Sequence, residues 1–197
     1  MSWGRAVKAR RRWTGSKVPP LWVFTDQKRL PDPRAVLAKL PKGLCGVVLR
    51  AGWGLDAGIA AGVARICRQR RFALVVAGDA GLAFRLRAGR HMSRGAQRRA
   101  GGTGLMTASA HGPGERARAA RLQADAVFLS PIFATASHPG AAGLGVVRWA
   151  SMARGQHRPV LALGGVNSDT ARRLPRFCAG AGVIGAAGGL VFSDAAG

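Results

Sequence analysis

Glycines and charged or hydroxyl-bearing residues that follow short apolar runs are the positions in this sequence best suited to chemistry. Gly164 and Gly165 follow the run 159–163, and Gly185 follows 182–184. With no Cβ in the way, backbone N–H groups at such points can approach an anion, although the same glycines also suit tight turns. Neither run lies in a P-loop or a dinucleotide fingerprint, because GxxxxGK[ST] and GxGxxG are absent from a suitable strand-to-helix context. Asp26 ends the run 21–25, Arg50 ends 45–49, and Gly78, Asp79 and Gly81 form a turn after 72–76. The three cysteines, Cys45, Cys67 and Cys178, follow no C-x-x-C spacing, which argues against a zinc site or a disulfide scaffold.

Lysine and arginine number 31 against 8 acidic residues, a formal charge of +23. Such a charge suits nucleic acid, an anionic membrane or phosphate-bearing substrates alike. The clusters Arg68, Arg70, Arg71 and Arg116, Arg118, Arg121 fall in helical segments and read as solvated faces. No zinc finger, KH-like cleft or aromatic RNA-binding strand pair accompanies them, so no specific nucleic-acid partner is expected. No membrane span and no secretory leader is read in the sequence, and a reducing cytoplasm suits the unpaired cysteines. Residues 1–17 read as a flexible basic arm and 18–197 as one domain.

Positioning falls to eight short apolar runs. They are 21–25, 45–49, 72–76, 90–93, 105–108, 126–129, 159–163 and 182–184. Helical stretches separate most of them, at 33–40, 55–69, 82–87, 113–122, around Trp149, and from Ser168 or Asp169 onward. Between the fourth and fifth runs, 94–102 has room for a stunted helix at most. The segment 130–145 is a long loop of prolines, glycines and small hydroxyls. Repeated βα units with strands buried on both faces predict a closed, compact (β/α)8 TIM barrel of the α/β class, degenerate after strand four. In that architecture chemistry stands at the carboxyl ends of strands, and phosphate commonly binds at strands seven and eight.

Four segments, in order, resemble the thiamine phosphate synthase family and its TenI-type thiazole tautomerase relatives. LWVFTD at 21–26 matches the opening strand, and SPIFATASHPGAAGLG at 130–145 matches the loop after strand six, [GS]PxFxTxTK with a glycine-rich turn. PVLALGGVN at 159–167 and GAGVIGAAGG at 180–189 match strands seven and eight. The resemblance implies a transferase that couples hydroxymethylpyrimidine diphosphate to thiazole phosphate, forming a C–N bond and releasing pyrophosphate with magnesium. The implied partners are phosphorylated pyrimidine and thiazole molecules. A homodimer is also implied, to which an exposed Trp53 or Trp149 would contribute.

Carried over residue by residue, the resemblance puts Arg50 at the arginine of QxRxK, where its fork would hold diphosphate oxygens. The glutamine and lysine of that motif are Val48 and Gly52 here. Ser109 and His111 fall in the SxH segment, Ser109 toward the diphosphate and His111 as the proton-transfer histidine. Thr135 and Ser137 keep the hydroxyls of TxT, while His138 replaces its lysine. Gly164 and Gly165, with Gly185 and Ala186, would form the thiazole phosphate pocket. Asp79 is the implied magnesium ligand. The second acidic ligand of HLGxxD corresponds to Ala96, and His91 keeps that motif's first position, read as a packed or bridging histidine. Arg94, Arg98 and Arg99 could neutralise diphosphate in the metal's place. A TenI-like tautomerase, or a non-catalytic phosphate-ligand binding protein on the same barrel, stands as the alternative.

Overall fold

Six of the eight strands carry apolar residues on both sides, so each is stable only with one face in a lumen and the other under helices. The computed structural model describes residues 18–52, 55–92, 104–135 and 142–184. Its strands are β1 (Leu21–Phe24), β2 (Cys45–Arg50), β3 (Ala73–Ala77), β4 (Gly89–Met92), β5 (Met106–Ala110), β6 (Ala126–Leu129), β7 (Val160–Ala162) and β8 (Gly180–Ile184). All pair in parallel and in chain order. The register Leu21↔Ala181 through Phe24↔Ile184 returns β8 to β1 and closes the barrel.

Alternation along the strands sorts the core into two layers. Trp22, Phe24, Val48, Val75, Phe128, Leu161 and Leu163 form one cluster, which fills the lumen. Phe128 meets both Trp22 and Phe24 edge to face, at 5.4 and 4.9 Å between ring centroids. The alternate residues, among them Leu21, Val23, Val47, Val127 and Leu129, pack outward with the helices.

The helices are α1 (Arg34–Lys39), α2 (Ala57–Arg70), α3 (Ala80–Arg85), α4 (Pro113–Arg121) and α5 (Gly145–Ala153). Asp56 caps α2 by accepting the Ile59 N–H at 2.8 Å, and Arg71 ends it in the left-handed region at φ 56°. Gly62, a weak helix former, lies against α1. A Cβ at that position would stand 2.7 Å from the Arg34 side chain of α1. No described helix is long and apolar enough to cross a membrane.

Several expectations change at the ends of elements. Strand β4 begins at Gly89 and β8 at Gly180, and Phe72 precedes β3 as an outer core residue. After β7 stands only a 3-10 turn, Thr170–Arg173, where the sequence predicts a longer helix. Pro175 comes within two residues of it and forbids a further helical turn. Trp149 is corrected outright: it is wholly buried, and its indole N–H donates to the Leu129 carbonyl at 2.9 Å. It is a core residue and offers nothing to a dimer interface. Trp53 lies outside the described residues.

Candidate functional site at the carboxyl ends of the strands

Arg50 ends β2 in the alternation that turns Val48 into the lumen, so its side chain emerges at the rim of the barrel mouth. Two neighbours on the β1 end hold it. Its N–H donates to the Thr25 hydroxyl at 2.9 Å, and one guanidinium nitrogen lies 3.4 Å from Asp26 Oδ2. The pair is asymmetric, with the arginine side chain 53% exposed and the aspartate 18%. Arg50 therefore keeps most of its fork toward solvent while Asp26 anchors it. Beyond Arg50, a cavity of about 400 Å³ opens between β2 and β3, lined by Gly52, Gly78, Asp79 and Arg85 among others.

Strands β4 and β5 place polar groups inside the lumen. His91 pairs in register with Thr107, and Thr107 and Ser109 alternate onto its side of β5. Its Nδ1 is 2.9 Å from Thr107 Oγ1, and its Nε2 is 2.9 Å from Ser109 Oγ. Phe24 and Phe128 box the ring from the lumen side at 5.5 and 5.8 Å. Burial pushes the imidazole pKa down to about 4, and the charge of Arg50 pushes in the same direction. A neutral imidazole has one donor and one acceptor, which two rotatable hydroxyls satisfy in either tautomer. Ser109 thus reaches the mouth already held by His91.

His111, just past β5, is oriented from two sides. Its N–H donates to Glu115 Oε2 at 2.6 Å, so the first turn of α4 reaches back to grip the loop. Its Nδ1 lies 3.1 Å from the Ser130 carbonyl oxygen at the end of β6. The Ser130 hydroxyl lies 3.3 Å from the same Nδ1. In the tautomer whose Nδ1–H donates to the carbonyl, the lone pair of the neutral ring sits on Nε2.

Gly164 and Gly165 leave β7 with φ of 91° and 64°. The loop after β6 lies directly on them: Ile132 and Phe133 donate their N–H groups to Leu163 and Gly164 carbonyls, at 2.9 and 3.2 Å. A Cβ on Gly165 would fall 2.3 Å from the Ala134 carbonyl oxygen, and one on Gly164 2.7 Å from Pro131 Cβ. The pair therefore needs glycine for close approach as well as for conformation. Thr170 Oγ1 donates to the Gly165 carbonyl at 3.0 Å, and Asn167 Oδ1 accepts the N–H groups of Asp169 and Thr170. Those bonds fix which way the loop's peptide units point.

The family model described as thiamine monophosphate synthase matches residues 36–188. The chain belongs to the thiamine monophosphate synthase family. Among solved structures, it is similar to the thiamine phosphate pyrophosphorylase of Pyrococcus furiosus, with a TM-score of 0.72, 22% identity and 87% of each chain covered. The pyrophosphorylase of Bacteroides thetaiotaomicron gives 0.53 at 20% identity, covering 84% of this chain and 82% of that one. A KDPG aldolase from Legionella pneumophila gives 0.53 at 14%, covering 88% and 85%. These likenesses show the barrel fold. The comparison with curated proteins finds no match.

Within this synthase family barrel, the sequence-derived residues Arg50, Ser109, His111, Thr135, Gly164 and Gly165 all stand at or just past the carboxyl ends of strands. Ser137, His138, Gly185 and Ala186 lie outside the described residues, as do Arg94, Arg98 and Arg99. Asp79 stands at the same end but is occupied as the cap of α3, with Oδ1 accepting the Leu82 N–H at 2.9 Å. No group of three or more histidine, cysteine or acidic side chains that could hold a metal occurs among the described residues. Asp26, another acid at this end, is engaged with Arg50 and with the N–H groups of Lys28 and Arg29. Asp26 and Asp79 are thus each engaged in hydrogen bonds within the chain. Sequence reasoning also missed Thr107, Ser130 and Thr25 as partners of the site. The alternating hydroxyls in MTASA, inside a buried strand, were the signal for the first.

Cys45 and Cys67 have their thiols pushed up to about 12 by burial, which removes them as nucleophiles or ligands.

Proposed function

We propose that this barrel is a thiamine phosphate synthase, joining hydroxymethylpyrimidine diphosphate to thiazole phosphate. The observation that carries the reading is the convergence of Arg50, the His91-held Ser109, His111 and the Gly164–Gly165 turn on one end of the barrel. In the reaction the bond from the pyrimidine methylene carbon to diphosphate oxygen breaks, and its electrons leave with pyrophosphate. The thiazole nitrogen lone pair forms the new C–N bond.

Charge grows on the diphosphate as that bond stretches, and Arg50 is the exposed fork beside it. Ser109 adds a hydroxyl whose direction His91 sets. The thiazole phosphate falls to the Gly164–Gly165 turn, where neither N–H is used by another described residue. His111, just past β5, would orient the thiazole, or accept a proton in the tautomerase alternative.

A coupling assay following pyrophosphate and thiamine phosphate together, with and without added magnesium, tests the reading. Formation of both products in equal amounts supports it. Folded protein that binds thiazole phosphate but yields neither product would reject synthesis and return the tautomerase or binding role.

A further inference from the structure

A second cavity stands away from the mouth. About 730 Å³ opens at the other end of the barrel, between the end of α5, the entry to β7 and the segment leading into β8. Arg154, His157, Arg158, Arg176 and Phe177 contribute to its wall, and no carboxylate does. None of these three arginines forms a salt bridge with a described acid. Arg158 is fixed in place, with NH1 donating to the Ala124 carbonyl at 2.6 Å.

An aromatic platform stands among the charges. Phe177 is 45% exposed, unusual for a phenylalanine, and it stacks on Trp149 with centroids 6.4 Å apart and planes 26° off parallel. Trp149 is buried and hydrogen-bonded, so the ring behind Phe177 does not move aside. The guanidinium of Arg154 lies over the Phe177 ring at 5.8 Å from its centroid. Arg154 is exposed, and by swinging off that face it would let a flat ligand ring stack on Phe177 with the guanidinium charge beside it. The neighbouring arginine forks match the oxygens of a phosphate.

We propose that this floor cavity is a second site that binds a nucleoside phosphate of mononucleotide size. A solvated arginine face would supply the charge but neither the concavity nor the backed aromatic ring. The volume suits a small ligand. The site is separate from the mouth, since Pro159 and Val160 enter β7 while Gly164 and Gly165 leave it. It therefore stands whether or not the synthase reading does.

The test is calorimetric titration of the full chain, at about 0.15 M salt to screen diffuse attraction. The probes are AMP, adenosine, inorganic phosphate and a short oligoadenylate. AMP is expected to bind once per chain, with adenosine and phosphate each at least about tenfold weaker. Arg176→Ala and Phe177→Leu should each weaken AMP about tenfold, while Arg50→Ala leaves it unchanged. Arg154→Ala, at an exposed side chain, repeats the test should Phe177→Leu lower the melting temperature. Equal binding of phosphate and AMP would overturn the proposal, as would loss of AMP through Arg50→Ala alone. Oligoadenylate binding more tightly than AMP would overturn the mononucleotide assignment.

Discussion

His91 shows how a single buried side chain ties the site to stability. Its ordinary pKa is 6.5 and its folded value about 4, so between those values the unfolded chain takes up a proton that the folded chain refuses. Stability is complete above the ordinary value and falls as pH drops through that window, by up to about 3 kcal/mol. Urea midpoints measured from neutral pH down to the folded pKa check this, and His91→Gln, which cannot titrate, should flatten the slope. Arg50 contributes to the depression, so Arg50→Ala should raise the imidazole pKa in an NMR titration. The same substitution should cut kcat/KM for coupling by a hundredfold or more, about 2–4 kcal/mol of lost charge stabilisation. Asp79 separates a capping role from a metal role. Asn caps as well as Asp, so Asp79→Asn should keep the melting temperature, whereas Asp79→Ala should cost about 1 kcal/mol. Unchanged magnesium dependence of coupling in Asp79→Asn would complete the case for a cap alone.

At the scale of elements, the β6 loop and the β7 turn form one unit. Gly165→Ala would put a Cβ at φ 64° against the Ala134 carbonyl. We expect it to destabilise by about 1–3 kcal/mol and to raise KM for thiazole phosphate, because the turn cannot relax without lifting the 131–134 segment. Thermal melting and substrate titration read the two effects separately. The strands that carry this unit were legible in the sequence because a parallel barrel writes each strand as a short apolar run. Strand β4 was harder, since GRHM contains a charge and a histidine and owes its place to pairing with β3 and β5. The helix expected after β7 failed because Ser168 and Asp169 read as a helix start. In the fold, Asn167 and Thr170 bond each other in a tight turn, and Pro175 blocks any helical continuation of it. At the site, strand-end residues such as Arg50 and His111 were visible from position and resemblance. The His91–Thr107–Ser109 bridge was not, because its partners are set by the register between β4 and β5, which no single run of residues encodes.

For the whole molecule, the charge of +23 sets the response to salt. Eight acidic residues cannot offset 31 basic ones, so most of that charge is uncompensated. A compact body of one sign repels itself, and added salt screens the repulsion over a Debye length of about 10 Å at 0.1 M. The melting temperature should therefore rise by several degrees as salt goes from about 0.02 to about 0.5 M. On the proposed function the same field would draw anionic substrates toward the mouth, and screening would weaken that attraction. Coupling kcat/KM should fall over the salt range in which stability rises, with kcat nearly constant because contacts at Arg50 are short-ranged. Parallel melting and kinetic series decide the matter. A fall in kcat matching the fall in kcat/KM would place the salt effect in the chemical step and remove long-range steering from the account.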